Sequence, residues 1–248
     1  LLTLALLAYP RMPGTLPPLL GTLSAVAIAL WYFNAPSSDL INAWDENFWT
    51  LIKVLAIIGG GVLLSGVMDR TGAQRKLASW LSSGGPSIAA ALLMAHGVVP
   101  FLETVTGFGV SVLIGLPLLL SLGFTPYLSA LLTLLGLMIG PWGSMGPGTL
   151  VAAEAVGASL TDMGIVSGWM NLIPFIVSGI AVSIIASREP SGAQLSGSAR
   201  FVWAVVGMGS GVALWGLTML ANVLLGTPVA GATSTLIMAV VWLLYIRR

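Results

Sequence analysis

The chain has no cysteine, a single histidine, and only nine basic and eight acidic residues among 248. Without cysteine there are no disulfides and no thiolate metal sites. A charged fraction of 7% stands far below the ~25% of soluble domains, which excludes an ordinary water-soluble fold. The net charge of +1 leaves no basic surface for nucleic acid. No polar stretch is long enough for a soluble domain, since the longest, Ser187 to Arg200, is a Ser/Gly-rich connection. Methionines are scattered and suggest no cofactor box, so no cofactor or metal is expected. There is no initiator methionine either: the chain opens inside an apolar run at Leu1, which reads as an excerpt from a longer protein.

What fills the chain is hydrophobic. Apolar residues make up 57% and the mean hydropathy is +1.01, as expected of an all-α polytopic membrane protein embedded in a lipid bilayer. One transmembrane domain over residues 1–248 is predicted. The tail of a helix at Leu1 to Tyr9 is followed by spans over Thr15 to Phe33, Phe48 to Met68, Gly164 to Ser187, Phe201 to Leu225 and Pro228 to Ile246. Basic residues mark the cytoplasmic side of a membrane protein. The segment 69–76, with Arg70, Arg75 and Lys76, and the terminal Arg247 and Arg248 are accordingly placed in the cytoplasm, and a loop with Asp39, Asp45 and Glu46 outside. Trp31, Tyr32, Trp44, Trp49, Trp242 and Tyr245 read as interface anchors.

Two stretches break this pattern. A span needs about 20 apolar residues, and the runs Pro86 to Phe101 and Val110 to Leu122 both fall short. Between them lies Pro100-Phe-Leu-Glu-Thr-Val-Thr-Gly-Phe-Gly-Val-Ser111, so residues 86–122 are expected to form a re-entrant hairpin with a polar tip. Residues 124–160 are too long for one simple span and are interrupted by Gly140-Pro-Trp-Gly-Ser-Met-Gly-Pro-Gly148, which predicts a broken helix. Irregular backbone at membrane depth survives where it is buried in protein or lines a cavity. Both segments should therefore border a substrate path.

Between Lys76 and Arg188, tyrosine aside, three ionisable groups fall at predicted membrane depth: His96, Glu103 and Glu154. Burying a charge there costs a few kcal/mol or more, so each is a candidate proton-coupling residue. Glu103 is the foremost, at the hairpin tip, where a carboxylate can gain and lose a proton during a transport cycle. Its plain alternative is a cap for the second half-helix that accepts backbone N–H bonds. His96 lies seven positions earlier, on the same helical face if Pro100 does not break the helix. It reads equally well as a hydrogen-bonded packing residue, as does Glu154. Half-helices starting near Gly109 and Gly148 would aim N–H groups and positive dipole ends at the bilayer middle, enough for a carboxylate without any arginine. Thr104, Thr106, Ser111, Ser144 and Thr149 are the hydroxyls available to cap or ligate. Gly107, Phe108, Gly109, Gly143 and Gly146 complete the candidate substrate-binding set, with the glycines allowing close approach. Elsewhere, Gly59-Gly-Gly61 and Gly207-Met-Gly-Ser-Gly211 are expected to pack helices closely.

The segment Phe101-Leu-Glu-Thr-Val-Thr-Gly-Phe-Gly109, followed by Leu122-Gly-Phe-Thr-Pro126, resembles the L-lactate permease family. The similarity continues through Gly143-Ser-Met-Gly146, Leu150-Val-Ala152 and Ile173-Pro-Phe175. Val110-Ser111 stand where that family usually has Ala-Pro, and Glu154 where it has Gln. The resemblance implies a plasma-membrane (inner-membrane) symporter that moves lactate, glycolate or a similar 2-hydroxymonocarboxylate with protons. It further implies that this chain is the N-terminal half of a duplicated, inverted-repeat transporter, with the second half and a second copy of the protein as partners. From the residues alone, a sodium-coupled carrier and an anion channel remain alternatives. A membrane enzyme has thin support from one histidine and two acids far apart in sequence.

Overall fold

A computed structural model of the chain describes residues 2–8, 12–73, 76, 87–107, 109–143, 147–188 and 195–247. It is 86% helix with no strand among the described residues. The chain divides into two compact units, Leu1–Lys53 and Val54–Arg248.

The first unit holds α1 (Leu2–Leu7), α2 (Leu16–Trp31) and the start of α3 (Ser37–Arg70). Proline in its first turn starts α2, where the missing N–H costs nothing. Thr3 lies against Gly21 where the two short helices meet. The expected acidic loop is absent, because α3 begins at Ser37 and carries Asp39, Asp45 and Glu46 on helical turns. No glycine or proline interrupts residues 37–58, and Asp39 in the first turn suits the positive end of the helix dipole.

The second unit is built on α4, a continuous helical path from Ile88 to Thr106. Ser87 starts it, accepting the Ala90 N–H on its hydroxyl. Its middle, Met94–Val98, widens into a π turn, and the helix then runs through Pro100 to Thr106. This corrects the sequence expectation that the first hairpin arm ends near Phe101. A proline ring normally collides with the carbonyl four residues earlier, and a π turn just before it displaces that ladder. At 19 residues α4 is long and apolar enough to cross a membrane, as are α8 (Leu160–Ala186), α9 (Gly197–Leu225) and α10 (Thr227–Ile246). The share buried separates them: 78% for α4 against 33%, 33% and 39% for the others, so α4 is the inner helix of this unit. Between them come α5 (Val110–Ser121), α6 (Pro126–Leu135) with a 3-10 extension over Gly136–Trp142, and α7 (Pro147–Val156).

Outward-facing positions such as Met170, Ile173 and Phe201 are exposed and apolar, whereas the interior holds Ser178, Ser210, Thr218, Asn222, Ser234 and Thr235. Lipid rewards apolar exteriors, and helices within it associate through small residues and hydroxyls. The glycines of α8 and α9 follow this rule: Gly179 meets the carbonyl of Gly207, and Gly211 that of Phe175. Gly209 and Gly216 have open space around them, and so do Gly59 and Gly60 of α3, which therefore are not the close-packing glycines the sequence suggests. Among the described residues, only the Ser183 hydroxyl is a buried side-chain polar group without a hydrogen-bond partner.

Asn222 joins three elements. Its amide donates to Thr161 O at 3.0 Å, and its Oδ1 lies 2.8 Å from the Thr227 hydroxyl, which is itself 2.8 Å from Leu160 O. Asn222→Ala removes the tie between the start of α8 and the α9–α10 turn. A loss of about 1.5 kcal/mol is expected, measured as a lowered unfolding midpoint in detergent micelles; an unchanged midpoint would show that the amide does not hold these ends together.

Candidate functional site

Two glycines with positive φ stand between α4 and α5. Gly107 ends α4 at φ +69 with its N–H on Glu103 O at 2.7 Å, and Gly109 precedes α5 at φ +76. Other residues adopt these angles only with strain. The turn brings the start of α5 beside the Glu103 side chain. Oε1 accepts the Gly109 N–H at 3.0 Å and Oε2 accepts the Ser111 hydroxyl at 2.5 Å. Glu103 is 9% exposed and Ser111 fully buried. Hydrogen bonds to an ionised carboxylate are short and about twice as strong as neutral ones, and the helix start adds a favourable dipole. The protein's own carboxylate thus occupies the helix N-terminus that the sequence assigns to a substrate anion.

The second break forms where α6 tightens into its 3-10 extension. Gly143 is extended and α7 starts at Pro147. The Thr149 hydroxyl donates back across the break to Pro141 O at 3.1 Å. Trp142 anchors the break from inside: it is fully buried, donates to Gly164 O at 3.0 Å, and stands edge-on to Phe175 with ring centroids 5.9 Å apart.

The two breaks touch. A Cβ on Gly143 would stand 3.1 Å from the Cα of Thr104 and 3.3 Å from its carbonyl oxygen. From α10, a Cβ on Gly231 would stand 2.5 Å from Trp142 O and 2.6 Å from the Thr104 methyl. Gly231 is absent from the sequence-derived set, and a lone glycine in an apolar helix gave no signal to set it apart from ordinary packing.

The remaining candidates distribute unevenly. The hydroxyls of Thr104 and Thr106 donate to carbonyls of their own helix, Phe101 O at 2.8 Å and Leu102 O at 2.7 Å, rather than capping α5. Phe108, Ser144 and Gly146 lie outside the described residues. Glu154 is exposed on α7, and no hydrogen bond joins it to Glu103 or His96. His96 is buried in the π turn with partners of its own: Nδ1 lies 2.8 Å from Ser210 Oγ and Nε2 3.3 Å from Ser178 Oγ. The π turn separates the surroundings of His96 from those of Glu103, so the pair expected on one face does not share a hydrogen-bond network.

Apolar helices turned outward, small and hydroxyl residues turned inward, and a buried carboxylate beside two touching helix breaks are the features of an integral membrane transport protein. The model of the L-lactate permease family matches residues 1–248, and the chain belongs to that family. The family is one of transporters rather than enzymes. No curated protein and no solved structure matches the chain.

Proposed function

We propose that the protein carries lactate or a related small 2-hydroxymonocarboxylate across the plasma membrane together with protons. The observation that carries this reading is the Glu103 carboxylate on the Gly109 N–H and the Ser111 hydroxyl. While ionised, Glu103 holds the donors that an incoming carboxylate needs. Once protonated, it is a weaker acceptor, and those donors become available to the substrate. With Glu103 protonated, the loaded site carries the substrate's single charge rather than two, which lowers the cost of moving it through a low-dielectric region. Thr104, in the last turn of α4, and Gly143, at the second break, border the same place.

In this reading the α4–α5 hairpin is re-entrant, with α5, at 12 residues, returning as a half-helix. The chain supplies one half of an inverted-repeat carrier, and the basic segment 69–76 faces the cytoplasm with Arg247. The test is uptake of labelled lactate by vesicles holding the complete protein, with an inward proton gradient and no sodium. Accumulation that collapses on adding a protonophore is expected. Accumulation that requires sodium would reject proton coupling, and flux that never exceeds equilibrium would indicate a channel.

A further inference from the structure

His96 is the only histidine in the sequence and is completely buried in the π turn Met94–Val98. Three helices converge on it. Ser178 of α8 meets Nε2 and Ser210 of α9 meets Nδ1, while Trp242 of α10 donates its indole N–H to Ser210 Oγ at 3.1 Å. An indole nitrogen can only donate. Ser210 therefore accepts from Trp242, its own proton can go to Nδ1, and the Nε2–H donates to Ser178. In this arrangement a neutral imidazole uses both ring nitrogens. The groups bonded to it are the hydroxyls of α8 and α9, the α10 indole stands behind Ser210, and Gly179 of α8 is close against Cε1. The charged side chains of those helices, Asp162 and Arg200, are exposed near their starts, and the carboxylate of α4 itself, Glu103, bonds elsewhere.

A π turn inserts one residue into the α-helical repeat, which turns everything beyond it by about 100° relative to an uninterrupted helix. Glu103 lies beyond it on α4. We propose that His96 is a positioning residue: a neutral clamp that holds the π turn against α8, α9 and α10 and so fixes the direction in which Glu103 leaves α4, without itself carrying the transported proton. This rests on the reading of Glu103 as the coupling carboxylate. It assigns the two buried titratable groups of α4 different tasks.

The tautomer is directly observable. With ¹⁵N-histidine label in the protein in lipid nanodiscs, the imidazole nitrogens should show the neutral Nε2–H form, unchanged between about pH 5 and 8; an imidazolium signal, or the other tautomer, overturns the assignment whatever the substrate proves to be. Transport supplies the second arm. His96→Gln keeps an acceptor and a donor without titrating, and should retain lactate uptake within about threefold and an unchanged pH midpoint. His96→Leu should lower the maximal rate at least tenfold, with KM and pH midpoint altered far less. If His96→Leu does not fold, Ser178→Ala and Ser210→Ala each remove one grip and should lower the rate severalfold in the same manner. Loss of proton dependence in His96→Gln would make His96 a proton carrier and sink the proposal, as would wild-type rates in the leucine and both serine variants. Proton-driven accumulation persisting in Glu103→Gln would instead overturn the reading of Glu103, a failure the ¹⁵N spectrum would not register.

Discussion

Glu103→Gln is expected to abolish proton-driven accumulation of substrate while leaving exchange of labelled for unlabelled substrate largely intact. Glutamine matches the shape of a protonated glutamate. Its Oε1 can take the Gly109 N–H, and its amide can donate to Ser111, so the hairpin tip keeps its form. What disappears is the ability to alternate between a carboxylate that claims the donors and a neutral group that yields them. Net uptake then has no proton to carry back and forth. Uptake then lets the substrate equilibrate across the membrane instead of concentrating it against a gradient. Exchange only requires the loaded site to move in both directions, and should fall far less. Initial rates of driven uptake and of counterflow, measured on the same vesicles, decide the matter. Full accumulation by the variant would leave Glu103 as a helix cap alone, a role its geometry also fits.

The largest effect on stability is expected from Gly179→Ala. The added methyl meets the backbone carbonyl of Gly207, with the His96 ring also close, so the clash falls on backbone that no side-chain movement relieves. The α8–α9 crossing must open along its length, releasing the neighbouring Gly211 contact with Phe175 O. Overpacking against backbone costs about 3 kcal/mol, a large part of the stability of an ordinary domain. Gly216→Ala is the companion measurement. Gly216 lies on α9 with nothing within 4 Å of an added Cβ, so the substitution should be neutral or slightly stabilising through helix propensity. Unfolding midpoints in the same detergent should separate the two variants clearly. Equal midpoints would mean that the helices do not cross at Gly179 and Gly207.

The helix breaks were legible because proline and glycine act locally. Their pattern places starts near Gly109 and Gly148, and the structure begins α5 at Val110 and α7 at Pro147. The spans over α8, α9 and α10 were equally open, since each is a long apolar run between polar ends. The acidic start of α3 was not, because a hydropathy reading treats Asp39, Asp45 and Glu46 as a loop while the backbone ladder is indifferent to charge on an exposed face. Nor was the passage through Pro100, which depends on a π turn that no residue type announces. The partners of His96 come from 82 and 114 positions away, beyond the reach of any local pattern. For Glu103, proximity in sequence made both roles visible, coupling and capping, but it could not show that Ser111 and Gly109 would be its partners. Ser111, which the sequence offers as a cap or a ligand, instead donates its hydroxyl proton to Glu103.

The bond between Ser111 and Glu103 closes a loop of only eight positions along the chain. Closing so short a loop costs little entropy, and loop rearrangements take nanoseconds to microseconds, whereas collective shifts of packed helices take microseconds to milliseconds. The hairpin can therefore open and reclose many times during a single excursion of the bundle. On the proposed cycle the opening of this tip is therefore not the slow step, which falls to collective movement of the packed helices.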